Sequence, residues 1–90
     1  MPVGYRVTLA QSAKKELEHL RNPLQKRVAS ALQALSLNPR ARGCRKLSGH
    51  EAKYRVRVGD YRVIYEIDDV RSTVWVSHIR HRSEAYDWHD

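Results

Sequence analysis

The stretch Tyr54 to Glu66, reading YRVRVGDYRVIYE, restricts the fold more than any other part of this chain. Lys53 to Val58 and Tyr61 to Ile67 are rich in β-branched and aromatic residues. The Gly59-Asp60 pair between them suits a two-residue hairpin turn, with Gly free to take positive φ. Such a turn fixes the register: Val58 opposite Tyr61, Arg57 opposite Arg62, Val56 opposite Val63 and Tyr54 opposite Tyr65. Side chains alternate along a strand, so Tyr54, Val56, Val58, Tyr61, Val63 and Tyr65 share one face. Arg55, Arg57, Arg62, Ile64 and Glu66 share the other. The first face is built to be buried; the second is not.

Something must cover the apolar face, and the first half of the chain supplies it. A short strand is expected at Tyr5 to Leu9, then a helix from about Ser12, with Leu9, Ala13, Leu17 and Leu20 near helical spacing. Asn22-Pro23 reads as an N-cap followed by proline at the first helical position. The helix it opens carries Leu24, Val28, Ala31, Leu32 and Leu35 on one stripe and stops at Asn38-Pro39. So short a link predicts an antiparallel helical hairpin, and each stripe needs an apolar surface. After Asp68-Asp69, Thr73 to about Arg80 makes a third strand beyond the loop, and Ser83 to Trp88 ends as a short helix or tail. The expected class is α+β, in the order β-α-α-β-β-β, with two antiparallel helices packed on one face of an antiparallel sheet and the other face open. With 90 residues the chain holds one domain, 1–90.

Charge then bears on function. Lys plus Arg number 17 against 10 Asp plus Glu, a formal net charge of +7 that favours a polyanion: RNA, DNA, an anionic membrane or an acidic protein. Solubility alone is the blander reading, and placement decides between them. Arg57 and Arg62 are directly opposed like charges, which costs stability in a sheet, and Arg55 lies two residues away on the same face. Glu66 is too far along the strand to pair with all three. An anion would neutralise the cluster, and the planar fork of arginine suits phosphate oxygens. The loop Arg40 to His50, with Arg40, Arg42, Arg45 and Lys46, reads either as a solvated loop or as a second place to meet phosphate.

The lone Cys44 forms no intramolecular disulfide, and the N-terminal segment lacks the apolar run of a signal peptide, so a cytoplasmic location is expected. A metal site is not expected. His78 and His81 are three apart on or beside a strand and point to opposite faces, while His19, His50, His89 and Cys44 are scattered. His81-Arg82-x-x-x-Tyr86 forms a second constellation beyond the last strand. Histidine as a residue type titrates near neutrality, and tyrosine moves a proton where positive charge lowers its pKa.

Taken together, Lys46-Leu47-Ser48-Gly49, the run from Tyr54 to Tyr65, His81-Arg82 and Tyr86 resemble the RelE/ParE superfamily of bacterial toxins from type II toxin–antitoxin pairs. The resemblance covers nearly the whole chain. In its RelE branch it implies a ribosome-dependent mRNA endoribonuclease (an mRNA interferase) that inhibits translation, works without metal or organic cofactor and is held in check by a cognate antitoxin. The implied partners are that antitoxin, the ribosome and mRNA, with no membrane and no DNA contact other than through an antitoxin complex. Carried over by position, Arg55 and Arg57 fall where the family places basic residues on the first hairpin strand, and Arg62 on the second. Arg82 matches the arginine after the last strand, and Tyr86 the C-terminal tyrosine, with Trp88 the alternative aromatic.

One departure shapes the expected chemistry. Familiar members carry lysines where Arg55 and Arg57 stand, and arginine is a poor general base. Attack by the RNA 2′-hydroxyl on the adjacent phosphate needs a base, positive charge around the phosphorane and an acid at the leaving oxygen. Arg57 and Arg62 are assigned to charge stabilisation, Arg82 to the leaving group, and Tyr86 or His81 to proton transfer. Arg55, Arg45, Lys46 and Lys53 are expected to hold the RNA. A ParE-like inhibitor of DNA gyrase and a non-catalytic RNA-binding module are the alternatives.

Overall fold

The computed structural model describes residues 4–47, 49 and 53–84. Strand β1 (Arg6–Leu9) leads into helices α1 (Gln11–His19) and α2 (Leu24–Leu37), followed by β2 (Cys44–Lys46), β3 (Lys53–Val58), β4 (Tyr61–Asp68) and β5 (Thr73–His81). A short 3-10 turn over Arg82–Glu84 follows β5. The five strands form one sheet in the order β1-β5-β4-β3-β2.

The central hairpin forms in the expected register, Val58 on Tyr61, Arg57 on Arg62, Val56 on Val63 and Tyr54 on Tyr65. Gly59 takes φ of 61° at its tip, where an L side chain would be strained. The face with Val58, Val63 and Tyr65 packs beneath the helices. Ala13 of α1 and Val28, Leu32 and Leu35 of α2 are buried with them, joined by Val74, Val76 and Ile79 of β5. The helical stripes therefore cover the sheet face that the hairpin pattern set aside for them. Tyr65, fully buried, donates its hydroxyl to the Pro39 carbonyl at 2.7 Å and so ties the chain leaving α2 to the sheet. Burial pushes its phenol pKa up.

Three features correct the sequence expectation. The sheet is mixed, because β1 pairs with β5 in parallel, Arg6 on Thr73 through Leu9 on Val76. The hairpin signals speak only for strands adjacent in sequence, and β1 reaches its neighbour across almost the whole chain. Second, the segment read as a loop contains β2, which pairs antiparallel with β3, Cys44 on Val56 and Arg45 on Arg55. Three residues are too few to show alternation, and the addition makes β3 an interior strand. Third, α2 begins at Leu24 with Pro23 in the cap position, one residue later than Asn22-Pro23 suggests.

A bulge is the feature with most consequence for the site. The β4–β5 register shifts between Ile64 and Tyr65, so Tyr65 pairs with Val76 while Ile64 pairs with His78, leaving Ser77 as the extra residue. Its hydroxyl donates to the Ile64 carbonyl at 3.3 Å, at the point of the shift. One inserted residue exchanges the faces of everything after it. Counting from Val74 and Val76, plain alternation would turn His78 and Arg80 toward the helices. Instead Ile79 enters the core, and His78 and Arg80 emerge on the outer face.

Candidate nucleic-acid interface

On the outer face the pairing lines up a row of three arginines across three strands: Arg57 on β3, Arg62 on β4 and Arg80 on β5. Directly opposed like charges oppose pairing, so such a row needs compensation. Arg80 obtains it from α1. Glu16 accepts the Arg80 Nε–H at 2.7 Å with one oxygen and the Ile79 backbone N–H at 2.8 Å with the other. Among the described residues no carboxylate pairs with Arg57, which is exposed.

Arg82 joins this row from a different element. The 3-10 turn carries it past the end of β5, and its backbone N–H donates to the Asp60 carbonyl at 2.7 Å, locking the turn onto the hairpin tip. Arg57, Arg62 and Arg82 then line one cleft of about 170 Å³, together with Gly59, Asp60 and Tyr61. Three guanidiniums from three elements around so small a space suit an anion of phosphate size, which can take several charge-assisted hydrogen bonds there.

The other sequence-predicted residues divide. Arg55 occupies the next row, between Arg45 and Ile64, but is only 3% exposed. Leu47 and Ile64 are also buried and stand apart from the helix-side core, so this part of the outer face is covered and not open as expected. Arg45 is exposed opposite Arg55, whereas Lys46, paired with Tyr54, belongs by alternation to the opposite face. Lys53 lies across from Glu66, of opposite charge, and Trp75 continues that row, 45% exposed. None of these four basic residues lines the arginine cleft.

His81 is turned by the bulge onto the helix-side face, beside Tyr61, with ring centroids 5.3 Å apart in an edge-on contact. Its Nδ1 accepts the Ser83 backbone N–H at 3.2 Å and meets the Ser83 hydroxyl at 2.8 Å. Nδ1 is therefore the acceptor, and the neutral ring carries its proton on Nε2. Because Tyr61 also borders the cleft, His81 stands next to it but on the other side of the sheet. Tyr86 and Trp88, the remaining candidates for proton transfer, lie outside the described residues.

Sequence reasoning missed two members of the outer face. Arg80 and His78 were hidden by the bulge, for which Ser77 is the only local signal. His78 Nδ1 is 3.3 Å from an Arg80 amino group. Burial, then the Arg80 charge, moves the His78 pKa below the usual histidine range, with Glu16 acting in the other direction. That keeps the imidazole neutral beside the arginine row. His78 and His81 face opposite sides of the sheet, as their spacing implied.

A second charged cluster is structural. Arg40 grips Asp69 through both terminal nitrogens, at 3.0 and 2.8 Å, and stacks over Tyr54 with its guanidinium carbon 5.5 Å from the ring centre. Tyr5 donates its hydroxyl to the same carboxylate at 2.6 Å. The Arg40 and Tyr5 hydrogen bonds pull the Asp69 carboxyl down to about 2. The sequence leaves Arg40 open between a solvated loop and a place to meet phosphate; the structure gives it neither task, and it fastens the chain after α2 to the β4–β5 turn.

Known proteins share both the arrangement and the sequence. Residues 7–86 match the family described as the ParE toxin of type II toxin–antitoxin systems. A RelE toxin of Mycobacterium tuberculosis is 32% identical over 83 residues, covering 91% of this chain and 86% of that protein. The RelE3 toxin of Methanocaldococcus jannaschii is 29% identical over 87 residues, covering 92% of this chain and 97% of that one. The RelE of Pyrococcus horikoshii, solved as a complex with RelB, superposes with a TM-score of 0.80 at 28% identity, covering 92% of this chain and all of that one. With nearly its full length accounted for by the match, this chain belongs to the RelE/ParE family of type II toxin–antitoxin toxins.

Proposed function

We propose that this toxin is a ribosome-dependent mRNA endoribonuclease that cleaves by 2′-hydroxyl attack on the scissile phosphate without a metal ion. The observation that carries the reading is the convergence of Arg57, Arg62 and Arg82 on one phosphate-sized cleft. As the hydroxyl attacks, charge accumulates on the phosphorane oxygens, and Arg57 and Arg62 supply the opposing charge. Arg82 stabilises the departing 5′-oxygen. Arginine stays protonated, so proton transfer falls to Tyr86 or His81; His81 would have to act around Tyr61. The buried Arg55 supports the field of the cluster from the row behind. Arg45 and Lys53 extend the charge available to the RNA. A cognate antitoxin is the proposed protein partner, as RelB is for the Pyrococcus horikoshii protein.

The matching family is described by its ParE members, and this favours a second reading, a DNA gyrase inhibitor with no catalytic cluster. Induced expression in bacteria followed by mapping of mRNA 5′ ends separates the two. Cuts inside translated codons, lost in Arg62→Ala, support the ribonuclease. Growth arrest with intact mRNA and DNA damage supports the gyrase inhibitor and overturns the first reading.

A further inference from the structure

The arginine cleft does not end at the hairpin tip. Arg57 and Gly59, which line it, also line a groove of about 550 Å³ on the far side of the tip, whose other wall is the first half of α2 with Lys26, Arg27 and Ser30. The tip is seated against this helix: a Cβ built on Gly59 would lie 3.6 Å from Arg27 Nη1, 3.9 Å from Nη2 and 3.8 Å from Leu24 Cδ1. The Arg27 guanidinium thus lies directly over the turn that separates groove from cleft.

The charge here is of one sign. Lys26, Arg27, Ser30 and Arg57 are exposed, and no acidic residue lines the groove. The arginines that fasten the fold each have a carboxylate: Arg40 has Asp69, Arg71 has Asp68 and Arg80 has Glu16. Among the described residues Lys26, Arg27 and Arg57 have none. Unpaired cations occur elsewhere on this basic surface. These differ in lining one concave path that shares Arg57 and Gly59 with the cleft.

We propose that the groove between α2 and the hairpin tip, formed by Lys26, Arg27 and Ser30 with Arg57, is a second anion subsite that binds a flanking phosphate of the same single-stranded RNA whose reacting phosphate occupies the Arg57–Arg62–Arg82 cleft. The identity of the polyanion rests on the ribonuclease reading. The sharing of Arg57 favours one continuous strand over a separate acidic protein segment. The strand would cross the tip along the Arg27 guanidinium, which lies against Gly59. Substrate affinity would then grow with RNA length beyond what the cleft alone can hold.

The test uses single-stranded 2′-deoxy oligonucleotides, which lack the attacking hydroxyl and stay intact, read by fluorescence anisotropy over a range of salt. A dinucleotide spans the cleft alone, and a ten-nucleotide strand reaches both subsites. For the Lys26→Gln/Arg27→Gln double variant, affinity for the longer strand is expected to fall by about tenfold at low salt. Its log–log salt slope should shrink by about 0.7, the value for the one single-strand phosphate that the variant no longer neutralises. Dinucleotide binding should be unchanged, and the charge-conserving Lys26→Arg/Arg27→Lys pair should restore the slope. Both side chains are exposed, and an unchanged Tm checks that the fold is intact. An unaltered slope for the longer strand, or a loss of antitoxin affinity in place of oligonucleotide affinity, overturns the subsite. A wild-type protein that binds neither strand overturns the ribonuclease reading with it.

Discussion

Glu16 reaches from α1 to the sheet, and its removal gives the sharpest test of how the arginine row is tolerated. One oxygen accepts the Ile79 N–H at 2.8 Å and the other the Arg80 Nε–H at 2.7 Å, with side-chain exposures of 26% for Glu16 and 34% for Arg80. A hydrogen bond from a backbone N–H to a carboxylate contributes about 1.5 kcal/mol. The ion pair, partly screened by water at this exposure, adds about 0.5 kcal/mol. Glu16→Ala should therefore cost about 2 kcal/mol in urea unfolding, or a Tm fall of about 8–16 °C for a domain of this size. Glu16→Gln keeps one acceptor and should lose roughly half as much. Both variants leave Arg57, Arg62 and Arg80 side by side with one counter-charge fewer, so inorganic phosphate should stabilise them more than it does the wild type. A Glu16→Ala loss below about 0.5 kcal/mol, or equal phosphate stabilisation of variant and wild type, would refute this account.

Other expected outcomes concern the cleft and the clamps. Arg62→Ala should lower RNA cleavage in a ribosome-dependent assay by about 10²–10³ while the domain still unfolds cooperatively; retained activity would remove Arg62 from the site. Tyr65→Phe strips the Pro39 carbonyl of its buried donor and should cost about 1–2 kcal/mol by urea unfolding, an unchanged midpoint being the contrary result. Asp69 is held at about 2 in the folded chain against an ordinary 3.8. Its contribution to stability is thus fully present above about 3.8 and is lost as pH falls toward about 2, where the folded protein also takes up the proton. Asp69→Asn should flatten that part of the acid-unfolding profile, and an identical acid limb in wild type and variant would count against the clamp.

The sequence made the hairpin legible because its determinants are local. A two-residue turn with glycine, and alternation on both sides of it, leaves one register, so the division between a packing face and an arginine face could be read directly. The helical stripes were legible for a similar reason, since Val28, Leu32 and Leu35 repeat at a spacing that buries them together. What escaped depends on pairings between distant segments. The three residues of β2 are strand only because β3 is beside them, and the parallel β1–β5 pairing is decided by where α1 and α2 deliver the chain. Arg55 reads as an open-face cation in isolation; an added edge strand and the buried Leu47 and Ile64 around it enclose that part of the face.

The bulge at Ser77 shows how much one such long-range detail decides. Without it, Arg62 would face Ile79, Arg80 would point into the helix-side core, and His81 would stand among the arginines as a ready proton carrier. With it, Ile79 fills the core and Arg80 extends the cationic row, where Glu16 can reach it. His78 replaces His81 as the imidazole on the outer face, kept neutral by burial and by Arg80. A bulge is therefore the device by which β5 meets two demands that strict alternation cannot satisfy together: apolar residues at Val74, Val76 and Ile79 for the core, and a cation, Arg80, on the outer face beside Arg62. It follows that deleting Ser77, the extra residue, should keep Ile79 in the core and Arg80 on the outer face, because Val76 and His78 would then follow one another opposite Tyr65 and Ile64. An alanine inserted between His78 and Ile79 should instead turn Ile79 outward and drive Arg80 toward the core, at the cost of a buried, unpaired charge, so cooperative urea unfolding should survive the deletion and not the insertion.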